Sequence, residues 1–151
     1  MDTLKELREE TGLSFAQIKK ALETAGGDKV KALEILGEYK EAQAEKKADR
    51  EVGVTTVASY VHGSGLSGAL VELACETDFV ARNDEFKELA KDIAMQVVAM
   101  SPVTLEGDDD TALLKQVFIK DGNLTVEGKL QSAIQKFGEN VKITRFVRYG
   151  A

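Results

Sequence analysis

The sequence feature that most constrains the fold is a short polar junction, residues 75–86, between a strand-like run and a long amphipathic helix. Thr77 or Asp78 can cap a short turn, because a side-chain oxygen at this position accepts a hydrogen bond from an unpaired helix amide. Asn83 or Asp84 can cap the longer helix in the same way. The junction therefore predicts a strand, a capped turn and a helix in direct succession.

Phe79 lies in the middle of this junction, directly after Asp78, and has two interpretations. A cap at an exposed corner can present the aromatic ring as a projecting wedge. Alternatively, Phe79 can fold back as a hydrophobic staple against Phe86 or Leu89. Taken alone, the residues favour the staple.

The first forty residues show three short helical patterns separated by tight turns. Gly12 ends the first pattern, Gly26 and Gly27 end the second, and Ser14 and Asp28 occupy the positions of helix caps. The apolar positions that we expect to face inward are Phe15, Ile18, Ala21, Leu22, Ala25, Val30, Leu33 and Leu36. This pattern predicts a three-helix bundle over residues 1–40 that looks like ubiquitin-associated domains. Residues 41–52 are almost entirely polar and are interpreted as a charged linker, helical or frayed.

The rest of the chain, residues 53–151, has the pattern of an α+β core domain. Strands are predicted at residues 54–62, 66–74 and 141–149, with Val141, Ile143, Val147 and Tyr149 on one face of the last strand. Helices are predicted at residues 84–100, in a short segment ending at Val117, and from Thr125 to Phe137. The predicted fold class is therefore α+β, a three-stranded antiparallel sheet packed with helices after the helical bundle.

Charge and cysteine content exclude several classes of protein. The net charge of −6 repels phosphate backbones, so we expect no direct nucleic-acid partner. The single cysteine, Cys75, excludes an internal disulfide and is expected to be a small buried side chain. No run of apolar residues is long enough to span a membrane and no signal-peptide pattern is present, so we expect a cytoplasmic protein.

Catalytic and metal sites find little support. With one His and one Cys, His62 and Cys75, the chain offers no zinc site of the usual spacing. Residues 108–110 are explained by an acidic helix start, and residues 121–132 lack the Gly and Glu that a calcium loop needs. The carboxylates of residues 76–85 suit helix caps better than acid–base chemistry. We therefore expect no enzyme, no metal and no cofactor.

Residues 76–83 read ETDFVARN, and this run resembles the signature of bacterial elongation factor Ts. Other segments agree with that family: residues 7–12, 19–23, 60–62, 92–96, 116–121, 125–126, 138–140 and 145–148. The resemblance implies a factor that binds elongation factor Tu and promotes the release of GDP, without making or breaking a covalent bond.

The resemblance also implies which residues act. Thr77, Asp78, Phe79 and Val80 match the stretch that displaces magnesium on the partner, with Phe79 inserted between two helices of its G domain. The bundle would dock on another helix of that domain. The supporting partner contacts that it implies are Arg8, Thr11, Gly12, Lys19, Arg82 and Asn83. With the resemblance, the wedge outweighs the staple.

Two departures from the family lead to further expectations. Longer members carry a second core subdomain, whereas this sequence has one sheet-forming region. We therefore expect a second copy to replace the missing part, in a homodimer in which the small sheets of two chains pack together. Residues 13–17 differ from the usual family sequence, which leaves the docking residues of the bundle open. The alternative function is a ubiquitin-associated-like adaptor, which needs only the bundle and tolerates Phe79→Ala.

Overall fold

The structure is a computed structural model and describes residues 2–151. The described chain divides into two compact units. The first holds the residues up to Asp49 together with Gln131–Glu139, and the second holds Arg50–Leu130 together with Asn140–Ala151.

The first unit is built on three helices, α1 (Asp2–Thr11), α2 (Phe15–Thr24) and α3 (Lys29–Lys47). The caps predicted at Ser14 and Asp28 are present: the Ser14 hydroxyl accepts from the amide of Gln17 at 3.3 Å, and the Asp28 carboxylate accepts from the amide of Val30 at 2.9 Å. Its buried core consists of Leu7, Leu13, Ile18, Ala21, Ala32 and Leu36. The predicted three-helix bundle is confirmed, and its likeness to ubiquitin-associated domains stays a prediction.

Two side chains that were predicted to face inward are exposed. Phe15 is 50% exposed and Val30 is 66% exposed. Each lies in the first turn of its helix, one residue after the cap for Phe15 and two residues after it for Val30, and the buried residues of both helices begin in the following turn. Helical spacing alone does not reveal this, because the spacing is the same in the first turn as in the second.

The compact units differ from the predicted domain limits in two respects. Residues 41–49, which were interpreted as part of a linker, belong to the first unit, and α3 continues through them to Lys47, in accord with the helical interpretation of that segment. Residues 131–139, which were assigned to the core domain, belong to the first unit. There, Lys40 is buried on α3 and donates to the Ser132 hydroxyl at 2.9 Å, an interaction between residues too far apart in the chain to be predicted.

The second unit contains the predicted three-stranded antiparallel sheet, in the order β1 (Val54–His62), β2 (Ser67–Cys75), β5 (Lys142–Gly150). Strands β1 and β2 form a hairpin whose register runs from Val54 opposite Cys75 to His62 opposite Ser67. Helix α5 (Asp84–Met100) packs on one face of the sheet. The core between them includes Val71, Leu73, Phe86, Ile93, Val97 and Ile143, all buried.

Strand β5 contains a bulge that changes which of its residues face the core. Glu72 pairs with Arg145, but Leu73 pairs with Ile143, so Thr144 is an extra residue. An extra residue reverses the alternation of side chains along the strand. Ile143 is therefore buried, whereas Val147 and Tyr149 are 37% and 74% exposed, and their predicted placement on one face with Ile143 is wrong.

The segment after α5 differs from the predicted short helix through Val117. It forms a three-residue 3₁₀ turn, Leu113–Lys115, followed by a small hairpin of β3 (Val117–Phe118) and β4 (Asp121–Thr125). The buried amide of Gln96 on α5 donates to the Val117 carbonyl at 3.0 Å and accepts from the Ile119 amide at 2.8 Å. These contacts hold the segment extended. Helix α6 (Val126–Phe137) follows, close to its predicted limits.

Within residues 2–151, the longest and most apolar helices fall short of what a membrane crossing requires.

Candidate functional site: the exposed corner between β2 and α5

The candidate site is the corner of residues 77–83, which joins β2 to α5 through the short helix α4 (Asp78–Ala81). Thr77 caps α4, since its hydroxyl accepts from the amide of Val80 at 3.4 Å. Asn83 caps α5, since its side-chain oxygen accepts from the amide of Glu85 at 2.8 Å. Of the alternatives that the sequence left open, Thr77 and Asn83 are therefore the capping residues.

Phe79 projects from this corner with 84% of its side chain exposed. It does not fold back onto Phe86 or Leu89, which are themselves buried, so the staple interpretation is wrong. Burial of a phenylalanine typically contributes about 1.5–3 kcal/mol to folding, and this side chain forgoes most of that gain. Its position is therefore not explained by the stability of the isolated chain.

The corner is anchored by the residues that follow Phe79. Val80 and Ala81 are buried, at 5% and 6% exposure, and the Thr56 hydroxyl of β1 donates to the Ala81 carbonyl at 2.9 Å. Val80 was predicted to contact the partner together with Phe79, but in this structure it points into the core. The corner thus combines an exposed Asp78 and Phe79 with a buried base.

Cys75 lies at the end of β2, below the corner. It is fully buried, and its thiol donates to the Thr77 carbonyl at 3.3 Å. The expectation of a small buried side chain is confirmed. The thiol also helps to fix the backbone from which α4 begins.

The six predicted supporting residues fall in two different units. Arg82 is exposed and Asn83 is the α5 cap, both in the second unit. Thr11 is buried and donates to the Leu7 carbonyl at 2.6 Å, and Gly12 ends α1 with a φ of +72°. Thr11 and Gly12 therefore shape the turn between α1 and α2, while Arg8 on α1 and Lys19 on α2 are exposed.

Phe15 is a candidate contact residue that the sequence did not reveal as such. The Arg8 guanidinium lies 4.4 Å from the centre of its half-exposed ring, a cation–π arrangement that orders both side chains. The available signal was the position of Phe15 directly after the Ser14 cap, in the first turn of α2.

The polar clusters weighed as catalytic or metal sites have structural partners. Across residues 2–151, no three His, Cys, Asp or Glu side chains are grouped so that they could hold a metal ion. Asp109 accepts from the amide of Thr111 at 2.9 Å, and this backbone hydrogen bond is the main reason that the pKa of Asp109 is lowered. His62 Nδ1 lies 3.0 Å from the Tyr60 hydroxyl. These groups thus close turns and pair with neighbours.

Comparison with known proteins shows the class of protein to which this chain belongs. The family model described as "Elongation factor TS" matches residues 11–109 and residues 76–151, so the two matches overlap over residues 76–109, which include the corner. The protein is a translation elongation factor. More narrowly, the chain belongs to the elongation factor Ts family.

Relatives of this family match nearly the whole chain. Elongation factor Ts of Leptospira biflexa is 38% identical over 188 aligned positions, which cover 98% of this chain and 95% of the relative. That of Fervidobacterium nodosum is 42% identical over 185 positions, covering 96% and 94%. That of Thermotoga petrophila is 39% identical over 187 positions, covering 99% and 94%. The family resemblance read from residues 76–83 is thereby confirmed.

Proposed function

We propose that this chain binds elongation factor Tu in its GDP-bound form and promotes GDP release by displacing the magnesium ion beside the nucleotide. The observation that carries the proposal is the exposure of Phe79 at a corner whose base is buried. Because Val80 and Ala81 anchor the backbone at this corner, insertion into a partner needs the ordering of the Phe79 side chain and little rearrangement of the chain beneath it.

The mechanism is a coupling between two binding sites on the partner. Phe79 inserts between two helices of the partner's G domain and Asp78 enters beside it, contacts that are available only when the nucleotide site is distorted. Magnesium balances much of the phosphate charge, so its displacement weakens the binding of GDP. By thermodynamic linkage, GDP weakens the binding of this chain by the same factor. No covalent bond changes, so the chain acts as an exchange factor and not as an enzyme.

The helical bundle supplies a second contact with the same partner. The first residue of α2, Phe15, is half exposed with the Arg8 guanidinium of α1 over its ring, and Lys19 adds an exposed positive charge on α2. Aromatic side chains and arginine are enriched in protein interfaces relative to the rest of the surface. Phe15 joins the predicted docking residues, and Thr11 and Gly12 act by shaping the turn.

We further propose that two copies of the chain associate through the outer face of the sheet. Five apolar side chains on this face are exposed: Val57, Val61, Leu70, Val147 and Tyr149. A groove of about 280 Å³ opens on it, lined in part by Val57, Leu70 and Val147. A small sheet with an apolar exposed face gains stability when a second sheet covers it.

The test measures release of a fluorescent GDP analogue from elongation factor Tu, with the wild-type chain and with Phe79→Ala. We expect rapid release with the wild type and a loss of about 30-fold or more with the variant, as for a hot-spot aromatic residue. The matched control is Val103→Ala, because Val103 is also 84% exposed and lies in the same unit. It should leave release unchanged.

The other outcomes separate the mechanism from the function. Rapid GDP release with Phe79→Ala would support the exchange function and reject the proposal that Phe79 acts as a wedge. No acceleration by the wild-type chain would reject the exchange function. The adaptor function would then remain, and it predicts that the bundle binds a different partner through Phe15 whether or not Phe79 is present.

A further inference from the structure

The two points at which the chain enters the second unit meet at one side chain, that of Glu76. Arg50 is the first residue after Asp49, and Asn140 is the first after Glu139. The backbone amide of Asn140 donates to Glu76 Oε2 at 2.7 Å, and Arg50 Nη1 lies 3.6 Å from the same oxygen. The Asn140 side-chain amide donates to the Arg50 carbonyl at 2.8 Å, which closes the cluster. We call Arg50, Glu76 and Asn140 the Glu76 clamp.

The clamp is well placed to be strong. Asn140 is 1% exposed. The Glu76 side chain is 21% exposed and that of Arg50 is 51% exposed, so the carboxylate is the more buried member of this ion pair. Hydrogen bonds to a charged acceptor are shorter and stronger than neutral ones, and partial burial strengthens them further. A 2.7 Å bond from a backbone amide to a carboxylate belongs to this strong class.

Glu76 lies in the short junction between β2 and α4, so the clamp restrains the direction in which α4 begins. Only Glu76 and Thr77 separate the end of β2 at Cys75 from the start of α4 at Asp78. A junction of two residues has few rotatable backbone bonds, so holding the Glu76 side chain restricts the direction in which Thr77 leaves the strand. That direction decides where α4, and with it Phe79, points.

We propose that Glu76, Arg50 and Asn140 are positioning residues that hold the corner so that Phe79 projects before the partner arrives; this inference rests on the proposed exchange function. None of the three needs to touch the partner's nucleotide site. Phe79 makes its contacts mainly when the nucleotide site of the partner is distorted, so a mispositioned Phe79 weakens that state most. Loss of the clamp therefore lowers the maximal rate of GDP release more than it raises the concentration of this chain that gives half of that rate.

The decisive experiment is a double-mutant cycle on the GDP-release rate with Glu76→Ala and Phe79→Ala. Glu76→Ala alone should lower the maximal rate about tenfold, the typical effect of losing a hydrogen bond to a charged group. In the Phe79→Ala background it should lower the rate less than about twofold, because residues that act through one another are not additive. Glu76→Gln keeps an oxygen that can accept from Asn140 and should be intermediate. A tenfold loss in both backgrounds, or none in either, overturns the proposal.

A control separates positioning from general stability. Asp92 lies 2.8 Å from the Lys120 ammonium in the same unit, and only 12% of its side chain is exposed. Asp92→Asn removes a comparable carboxylate pair elsewhere in the unit and should leave the release rate unchanged even where it lowers the unfolding temperature. An equal loss of rate in Asp92→Asn and Glu76→Ala would assign the effect to stability and overturn the proposal.

A second measurement tests the clamp without the partner. The amides of Ala81, Arg82 and Asn83 are hydrogen-bonded within the corner, to Thr77, Asp78 and Val80 respectively. Glu76→Ala should accelerate their hydrogen exchange at least about fivefold while the amides of β1 and β5 keep their protection. Unchanged exchange at the corner rejects the clamp. If the wild-type chain releases no GDP, the proposed function fails, and this measurement still decides the clamp.

Discussion

A single buried side chain, that of Gln96, holds the segment that follows α5 in place. Gln96 on α5 is fully buried, and its amide contacts the Gln116 side chain, the Val117 carbonyl and the Ile119 amide. Gln116 in turn donates to the Thr111 carbonyl at 3.0 Å. One side chain therefore satisfies backbone groups of a segment that has little regular structure of its own.

Gln96→Leu should destabilise the protein by about 3 kcal/mol. The substitution keeps the volume but leaves buried partners without hydrogen bonds, and each such group typically costs about 1–3 kcal/mol. Urea unfolding measures the change, with Met95→Leu as the control on the neighbouring, partly buried position. A loss below about 1 kcal/mol would show that water replaces the amide.

Glu72 provides a pH-dependent contribution at the residue scale. Its carboxylate accepts from the Thr144 hydroxyl at 2.7 Å and lies 3.2 Å from the Arg145 guanidinium, and these contacts, Thr144 first, lower the pKa of Glu72 below its usual 4.5. A lowered pKa in the folded state means that stability is gained above the unfolded value and lost as the pH falls through the folded value.

Thr144→Val should therefore reduce stability at pH 6 and lose this effect under acid conditions. Denaturation curves from pH 7 to pH 3 test this, together with a carboxyl NMR titration of Glu72, whose pKa should move back up. A stability difference that is the same at every pH would show that the valine acts through packing and not through the carboxylate.

At the scale of an element, helix α3 contains a glycine in its interior, where glycine disfavours helix formation. Gly37 lies in the middle of the helix, and a Cβ added there would meet no atom within 4 Å. Gly26 offers a contrast, because the same open space surrounds it but its φ is +65°. The two glycines separate the effect of chain entropy from that of backbone strain.

Gly37→Ala should stabilise the protein by about 0.5–1 kcal/mol, because alanine loses less backbone entropy in a helix. Gly26→Ala should instead destabilise it by about 1 kcal/mol, because a left-handed conformation strains a residue with a side chain. Thermal and urea unfolding of the two variants measure both effects. The same sign for both substitutions would contradict this account.

At the scale of the whole molecule, the apolar outer face of the sheet is the surface through which we propose that two copies associate. Leu70, 47% exposed, lies between Val57 and Val147 on this face. If two copies meet here, a charge at Leu70 would be buried against an apolar surface, which is costly without a partner.

Leu70→Lys should convert a wild-type dimer into a monomer at micromolar concentration. Analytical ultracentrifugation of both proteins tests this, with Val103→Lys as a control at an exposed apolar position outside the face. A wild-type chain that sediments as a monomer would reject the proposed homodimer, and a dimer in both lysine variants would place the interface elsewhere.

Much of the architecture could be read from local sequence, because its determinants lie close together in the chain. The caps at Ser14, Asp28, Thr77 and Asn83 bind amides only two or three residues away, so a short segment contains both partners. Hydrophobic periodicity likewise reports the helices and strands of the α+β fold. The ETDFVARN run was sufficient for the family.

Tertiary structure decided whatever depends on residues distant in sequence. That Phe79 is exposed and does not fold back as a staple accompanies the burial of Val80 and Ala81, the two residues that follow it. Asn140 reaches Glu76 across 64 positions and Arg50 across 90, and Gln96 reaches Gln116 across 20. The bulge at Thr144 depends on pairing with β2. A local pattern records the interactions of a residue with its neighbours in the chain, and only packing brings these distant partners together.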